Sequence, residues 1–318
     1  MPYLLFGLAL LAVLFAFYRY ATADARRTAN ALAQPFPPAW RELLAANVAS
    51  YNGLAEDQKI RFERQIQLFL ARTAITGVQT EVDELTRLLV AASAVIPAFG
   101  FPNWEYRNLG EVLVVPDAWQ LQKRPDEDVK PLPGILLGSV QRFQNDHYMR
   151  LSKAALRQGF TGAQDRRNVG IHEFAHLLDE ADGVIDGVPQ TALPPALRQP
   201  WAELMHHEIK LIRAGQSDID DYGATNEAEF FAVISEYFFE KPDRLADEHP
   251  ELYALLTQAF QQQPRPGGLL AKSKQLLGKL RPGAGRRRLD RNSPCPCGSG
   301  RKYKDCHLEA AAPVAGPV

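Results

Sequence analysis

The stretch NVGIHEFAHLLDEADG, residues 168–183, sets two histidines four apart on a segment with the apolar spacing of an amphipathic helix. No other feature of the chain constrains its fold as tightly. Asn168 supplies an N-cap, while Ile171, Ala175 and Leu178 fall at i, i+4 and i+7 and face a core. His172, His176 and Asp179 then share the next face. Residues four apart on a helix project the same way, so both imidazoles reach one zinc ion at ~2.0–2.1 Å. Glu173 lies beside such an ion rather than on it. There it takes a proton from the water that the metal activates, the general-base role this spacing serves in metallopeptidases. The alternative is a helix with two solvated histidines. A catalytic zinc would require the fold to bring in a third protein ligand and to leave one position open for water.

The stretch YGATNEAEFFAVISEYFF, residues 222–239, is the source expected for that ligand. Phe230, Phe231, Val233, Ile234, Tyr237 and Phe238 make its helix almost wholly buried, so Glu229 and Glu236 must be paired, ligating or at a cleft wall. Glu229 has a local alternative, because Asn226 and Glu229 stand at the N-cap and N3 positions of a capping box. Asp179 and Glu236 are candidates to orient a histidine through its other ring nitrogen, a surface or core ion pair being the alternative for either. His206 and His207 are adjacent, point to different faces and cannot chelate one ion together; they, His147 and His249 are read as non-ligands.

Around these motifs the chain reads as α+β, mainly helical with a small sheet. Helical spacing runs through PFPPAWRELLAANVASYNGL, KIRFERQIQLFLARTAIT (residues 59–76) and VDELTRLLVAASAVIPAF. Strands are expected over residues 111–116, 134–140 and 148–152, and helices return downstream, stopped by Gly215, Pro242 and Pro264. With 318 residues, 46% of them hydrophobic, the chain can bury a large core or two smaller ones. A net charge of −1 gives no overall bias toward nucleic acid or acidic substrates.

Residues 1–18 carry no charged side chain and as a helix would run ~27 Å, close to the thickness of a bilayer core. A transmembrane anchor over residues 1–20 is therefore expected. Tyr18 and Tyr20 would sit at the interface, and Arg19, Arg26 and Arg27 would hold the downstream chain in the cytoplasm. A cleaved secretory signal and a buried core helix are the alternatives.

HEFAHLLDEADG followed by DDYGATNEAEFFAVISEYFFEKP closely resembles the Mlc titration factor A family of zinc peptidases, and the same motifs look like the catalytic domain of anthrax lethal factor. The resemblance covers roughly residues 35–264 and takes in PFPPAW, DGVP (residues 186–189) and PELYALLTQAF. It implies a gluzincin-like peptidase in which His172, His176 and Glu229 hold the zinc, Glu173 is the base and Tyr222 donates a hydroxyl to the tetrahedral intermediate. The phenol of Tyr222, seven residues before Glu229 at a turn, has the reach to stabilise an oxyanion; a tyrosine packing on the sheet is the alternative. The family takes its name from sequestering a sugar-uptake repressor, so a regulatory binding protein is the competing function.

Beyond Pro264 the chain becomes basic and punctuated by Gly and Pro, as a solvated linker over residues 265–293 would be; its charges could also lie on an anionic leaflet. It ends in CPCGSGRKYKDCH. Cys295, Cys297, Cys306 and His307 suit a tetrahedral structural zinc, without which so small a module could not hold together. Disulfide pairing is the alternative, opposed by a reducing cytoplasm. This segment closely resembles the SEC-C motif, the zinc-binding tail of the SecA translocation ATPase, which implies a protein partner; its basic character leaves nucleic acid open as well. The expected layout is an anchor (1–20), linker (21–34), zinc peptidase domain (35–264), basic linker (265–293), SEC-C module (294–308) and disordered tail (309–318). Two zinc ions are expected, one catalytic and one structural, in a protein tethered to the inner (cytoplasmic) membrane with its catalytic domain in the cytoplasm and peptides or proteins as substrates.

Overall fold

The computed structural model of the chain describes residues 11, 13–19, 22–101, 104–106, 109–117, 138–143, 146–161 and 167–264. Residues 1–10 of the expected anchor, 134–137 of the expected second strand, the side chain of His147 and everything from 265 onward lie outside the described residues. The expectations for the basic linker, for Cys295, Cys297, Cys306 and His307, and for the tail fall there. The described residues are mainly helical with one four-stranded mixed sheet, the α+β class expected.

The chain divides into two units, residues 1–174 and 175–318. The first contains α1 (Ala23–Ala33), α2 (Pro38–Asn47), α3 (Ala49–Asn52), α4 (Glu56–Arg72), β1 (Ala74–Gly77), α5 (Glu84–Ala98), β2 (Leu109–Val115), β3 (Gly138–Phe143), β4 (Asp146–Ser152), α6 (Lys153–Gly159) and the first half of α7 (Val169–Asp179). Strand order is β1-β2-β4-β3, with β1 and β4 parallel to β2 and β3 antiparallel to β4 at one edge. Buried Val112 and Val114 pair with buried Met149 and Leu151, the period of two that gives the sheet one apolar face.

Of the second strand expected, residues 138–140 lie in β3, residues 134–137 being outside the described residues, and the other two match β2 and β4. β1 is a correction. Helical spacing was expected through Thr76, but α4 ends at Arg72 and Ala74–Gly77 pairs with Glu111–Val114. Thr73, Ile75 and Thr76 are β-branched and favour extended backbone, and the residues that receive the strand lie 37 positions further along the chain, beyond any local periodicity.

α5 is buried from Leu88 to Ala98 and starts at Asp83, whose side chain accepts the Thr86 N–H at 2.8 Å. Burial opposes the charge on Asp83, yet the Thr86 groups, Lys153 and Arg157 together hold its carboxyl well below the usual range. α7 approaches α5 closely at Gly170, where a Cβ would overlap the Ser93 hydroxyl. Its Phe174 packs on Tyr106 and Phe69, with centroids 5.0 and 5.6 Å away. At the other end of this unit, buried Glu63 on α4 receives both Arg41 nitrogens at 2.8 and 2.7 Å and the Tyr51 hydroxyl at 2.6 Å, tying α2, α3 and α4 together.

The second unit carries the rest of α7, a 3-10 turn at Glu180–Asp182, α8 (Pro195–Arg213), a 3-10 turn at Asp221–Ala224, α9 (Glu227–Glu240), α10 (Pro242–Glu248) and α11 (Pro250–Ala259). Proline at the first position starts α8, α10 and α11, where its missing N–H costs nothing. α9 is buried from Phe230 to Phe239, as its sequence required. Phe231 meets Trp201 and Phe260 at 5.9 and 5.8 Å, and Phe238 stacks on Phe260 at 5.5 Å.

The expected membrane span is not supported. Among the described residues no helix is long and apolar enough to cross a membrane. The helical residues 13–19 are exposed, Phe17 by 69%.

Candidate metal centre

α7 begins as its sequence requires: the Asn168 side chain, wholly buried, accepts the Ile171 N–H at 3.2 Å, and the next turn carries the first histidine. Ile171, Ala175 and Leu178 are all fully buried, which turns His172 and His176 to a half-buried face. Glu173 is buried, 5% exposed, on the same helical turn as His172 and His176.

α9 begins at Asn226, whose side chain accepts the Glu229 N–H at 2.9 Å. That cap uses the backbone of Glu229. The carboxylate stands 3.5 Å from His176 Nε2, and one donor atom each from His172, His176 and Glu229 lies within 4.8 Å of the others. Among the described residues this is the one such group. Tetrahedral zinc with donors at ~2.0–2.1 Å separates them by ~3.4 Å, so the 3.5 Å between His176 and Glu229 fits the ion. Two imidazoles and one carboxylate are also the donor chemistry of a site that keeps a position open for water.

The other expected residues lie in the second unit. Tyr222 lies on the turn Asp221–Ala224, where its N–H is capped by the Asp220 carboxylate at 3.0 Å; the turn packs against α8 and α9, and the phenol is 41% exposed. Glu236 is buried on α9. Asp179, expected to orient a histidine, has its Oδ2 on the Gly187 N–H at 2.8 Å. Burial raises the Asp179 carboxyl; the Gly187 N–H opposes this and the charges of Asp186 and Asp182 add to it, pushing it up to about 7. The Gly187 carbonyl in turn accepts the Trp201 indole N–H at 2.7 Å, so this peptide ties the end of α7 to α8. His206 sits 3.4 Å from Glu227, and neither it nor His249 belongs to the group that could hold a metal.

Sequence reasoning missed a polar network in the second unit. His249 Nε2 lies 2.7 Å from Asp218 Oδ1 and its Nδ1 3.4 Å from Glu208; Asp218 Oδ2 also takes the Tyr237 hydroxyl at 2.8 Å and Arg244 at 3.0 Å. Burial disfavours the imidazolium, but Glu208 and Asp218 outweigh it and raise His249 above its ordinary range. These residues come from four separate stretches of chain, and no local spacing announces them.

The sequence pattern described as "Glucose-regulated metallo-peptidase M90" matches residues 22–261, and that of the SEC-C motif matches residues 291–309. The chain belongs to the M90 metallo-peptidase family. The uncharacterized protein slr2042 of Synechocystis sp. is 32% identical over 241 residues, 73% of this chain and 86% of its own. Mlc titration factor A of Cronobacter sakazakii is 28% identical over 250 residues, 74% of this chain and 90% of its own. The Escherichia coli protein of that name is 27% identical over 239 residues, 71% and 86% of the two chains. The M90 match takes in both α7 and α9, so the three clustered donors lie within the shared region.

Proposed function

We propose that this M90 protein is a zinc-dependent peptidase of gluzincin-like fold, with His172, His176 and Glu229 as metal ligands. The observation that carries the reading is the convergence of those three donors within 4.8 Å, with Glu173 on the same helical turn. A zinc ion held there supplies Lewis acidity toward the scissile carbonyl and brings the pKa of water to ~7. Glu173 takes the proton of the attacking water and returns it to the leaving amine. Tyr222, exposed and carried on a turn rather than in a core, is the donor to the oxyanion. Peptide-library cleavage by the full chain, with zinc and after chelation, tests the reading. Zinc-dependent cuts support it, and a protein that binds zinc at α7 yet cuts nothing opposes it.

The relatives named Mlc titration factor A support a second reading, in which the chain binds a protein regulator and catalysis is secondary. The SEC-C match supports a structural zinc on Cys295, Cys297, Cys306 and His307 and a protein docked there. The cytoplasm-facing membrane tether rests on the uncharged residues 1–18 and the arginines after them, and the rest of the layout, from peptidase domain to tail, on the two family matches. The exposed side chains of Leu11, Val13, Leu14, Phe15 and Phe17 agree with a lipid contact for that segment.

A further inference from the structure

Glu173 is seated against bare backbone. β3 is the edge strand of the sheet and starts at Gly138, which pairs with Leu151 at the end of the ladder. A Cβ built on Gly138 would overlap Glu173 Oε1, and would stand 2.7 Å from Glu173 Cγ and 2.7 Å from Val169 Cγ2. Had only the carboxylate oxygen been in the way, rotation of the terminal torsion would clear it. Cγ lies closer to the backbone and moves only with a change of rotamer, and Val169 is β-branched and stiff. Val169 and Glu173 are four residues apart on α7, so one face of the helix is pressed on the Gly138 Cα along a full turn.

We infer that Gly138 is the positioning residue for Glu173: the absent side chain at this point of the edge strand is what lets the carboxylate occupy its buried seat. The inference rests on the reading of Glu173 as general base. Any side chain at 138 drives Glu173 to another rotamer or lifts α7 from the strand. The first outcome leaves His172 and His176 in place and spoils only the proton transfer, which depends on hydrogen-bond reach. A misplacement of ~1 Å costs on the order of 10²-fold in rate.

The test uses Gly138→Ala, Glu173→Gln and the double variant in the full chain, with zinc content, melting temperature, kcat and KM for a cleaved peptide. Gly138→Ala is expected to keep zinc and to lower kcat by about 10²-fold with KM little changed. In the Glu173→Gln background the same alanine should cost almost nothing more, because no base remains to be misplaced. An effect that persists in full in that background overturns the inference, since the glycine would then act on substrate or strand. If Glu173→Gln itself leaves hydrolysis intact, the base reading fails instead, and the two failures are separate. An arm independent of activity is the crystal structure of zinc-free Gly138→Ala, in which the Glu173 carboxylate should be displaced; an unmoved carboxylate overturns the inference. Should Gly138→Ala fail to fold, adding Val169→Ala removes one of the two contacts, and Glu173 is expected to stay displaced in the folded double variant.

Discussion

Asn226 and Glu229 stand at adjacent points of one helix start, and substituting each should produce opposite phenotypes. The Asn226 side chain holds the Glu229 N–H at 2.9 Å, so Asn226→Ala removes a cap worth ~0.5–2 kcal/mol and leaves the three donors in place. Glu229→Ala keeps that cap, because alanine still offers the N–H. In the zinc-free protein it removes a carboxylate 3.5 Å from His176, a contact too long for a strong hydrogen bond, so stability should change little. Zinc inverts the ranking. At free zinc 100-fold above Kd, binding adds ~2.7 kcal/mol to stability, and a variant whose Kd has risen 100-fold gains only ~0.4 kcal/mol. Urea unfolding with and without zinc measures both quantities, in a Cys295→Ser/Cys297→Ser background so that the C-terminal module adds nothing. Asn226→Ala should lose stability in both conditions and keep the full zinc increment. Glu229→Ala should match the parent without zinc and lose the increment. If Glu229→Ala keeps the increment and instead loses ~1 kcal/mol without zinc, Glu229 is a capping residue and the three-ligand site is wrong.

The purified chain should hold two zinc ions, and Cys295→Ser with Cys297→Ser should remove one of them by metal analysis without loss of peptidase activity; loss of both ions would refute separate sites. The His249 network should make stability fall with rising pH. Its imidazole is raised in the folded state, so the contribution is complete below ~6.5 and disappears as pH rises through the folded pKa. His249→Gln should flatten that part of the stability–pH curve, and an unchanged slope would show that Glu208, Asp218, Arg244 and Tyr237 hold together without the charge. Tyr222→Phe should retain zinc but lower kcat, since it deletes only the hydroxyl proposed to face the oxyanion; equal turnover would return Tyr222 to a packing role.

The metal helix was legible because its signals are local. Asn168 caps it, Ile171, Ala175 and Leu178 are fully buried, and the histidines share the remaining face, all within twelve residues. α9 was legible for the same reason, and its apolar pattern alone demands an account of Glu229. What failed depends on partners far away in the chain. Ala74–Gly77 is a strand because β2 receives it, and the pairing outweighs the helical spacing of the residues before it. Asp179 was a candidate to orient a histidine, and the chain after α7 folds back and presents the Gly187 N–H to its Oδ2. His249 reads as an isolated histidine until Glu208 and Asp218 close on it from elements 31 and more residues earlier. Gly138 gave no signal, since a missing side chain has meaning only beside the one that fills its space.

The central claim is that a buried glutamate beside a two-histidine, one-glutamate centre does the proton chemistry. Single-turnover hydrolysis of a cleaved peptide by Glu173→Gln, at zinc content verified equal to wild type, tests it most directly. Glutamine keeps the size of the side chain, the ligands His172, His176 and Glu229 are untouched, and only the basic oxygen is lost. The account predicts a fall of ~10²–10⁴-fold with zinc retained. Hydrolysis at the wild-type rate would contradict it and favour the binding-protein reading.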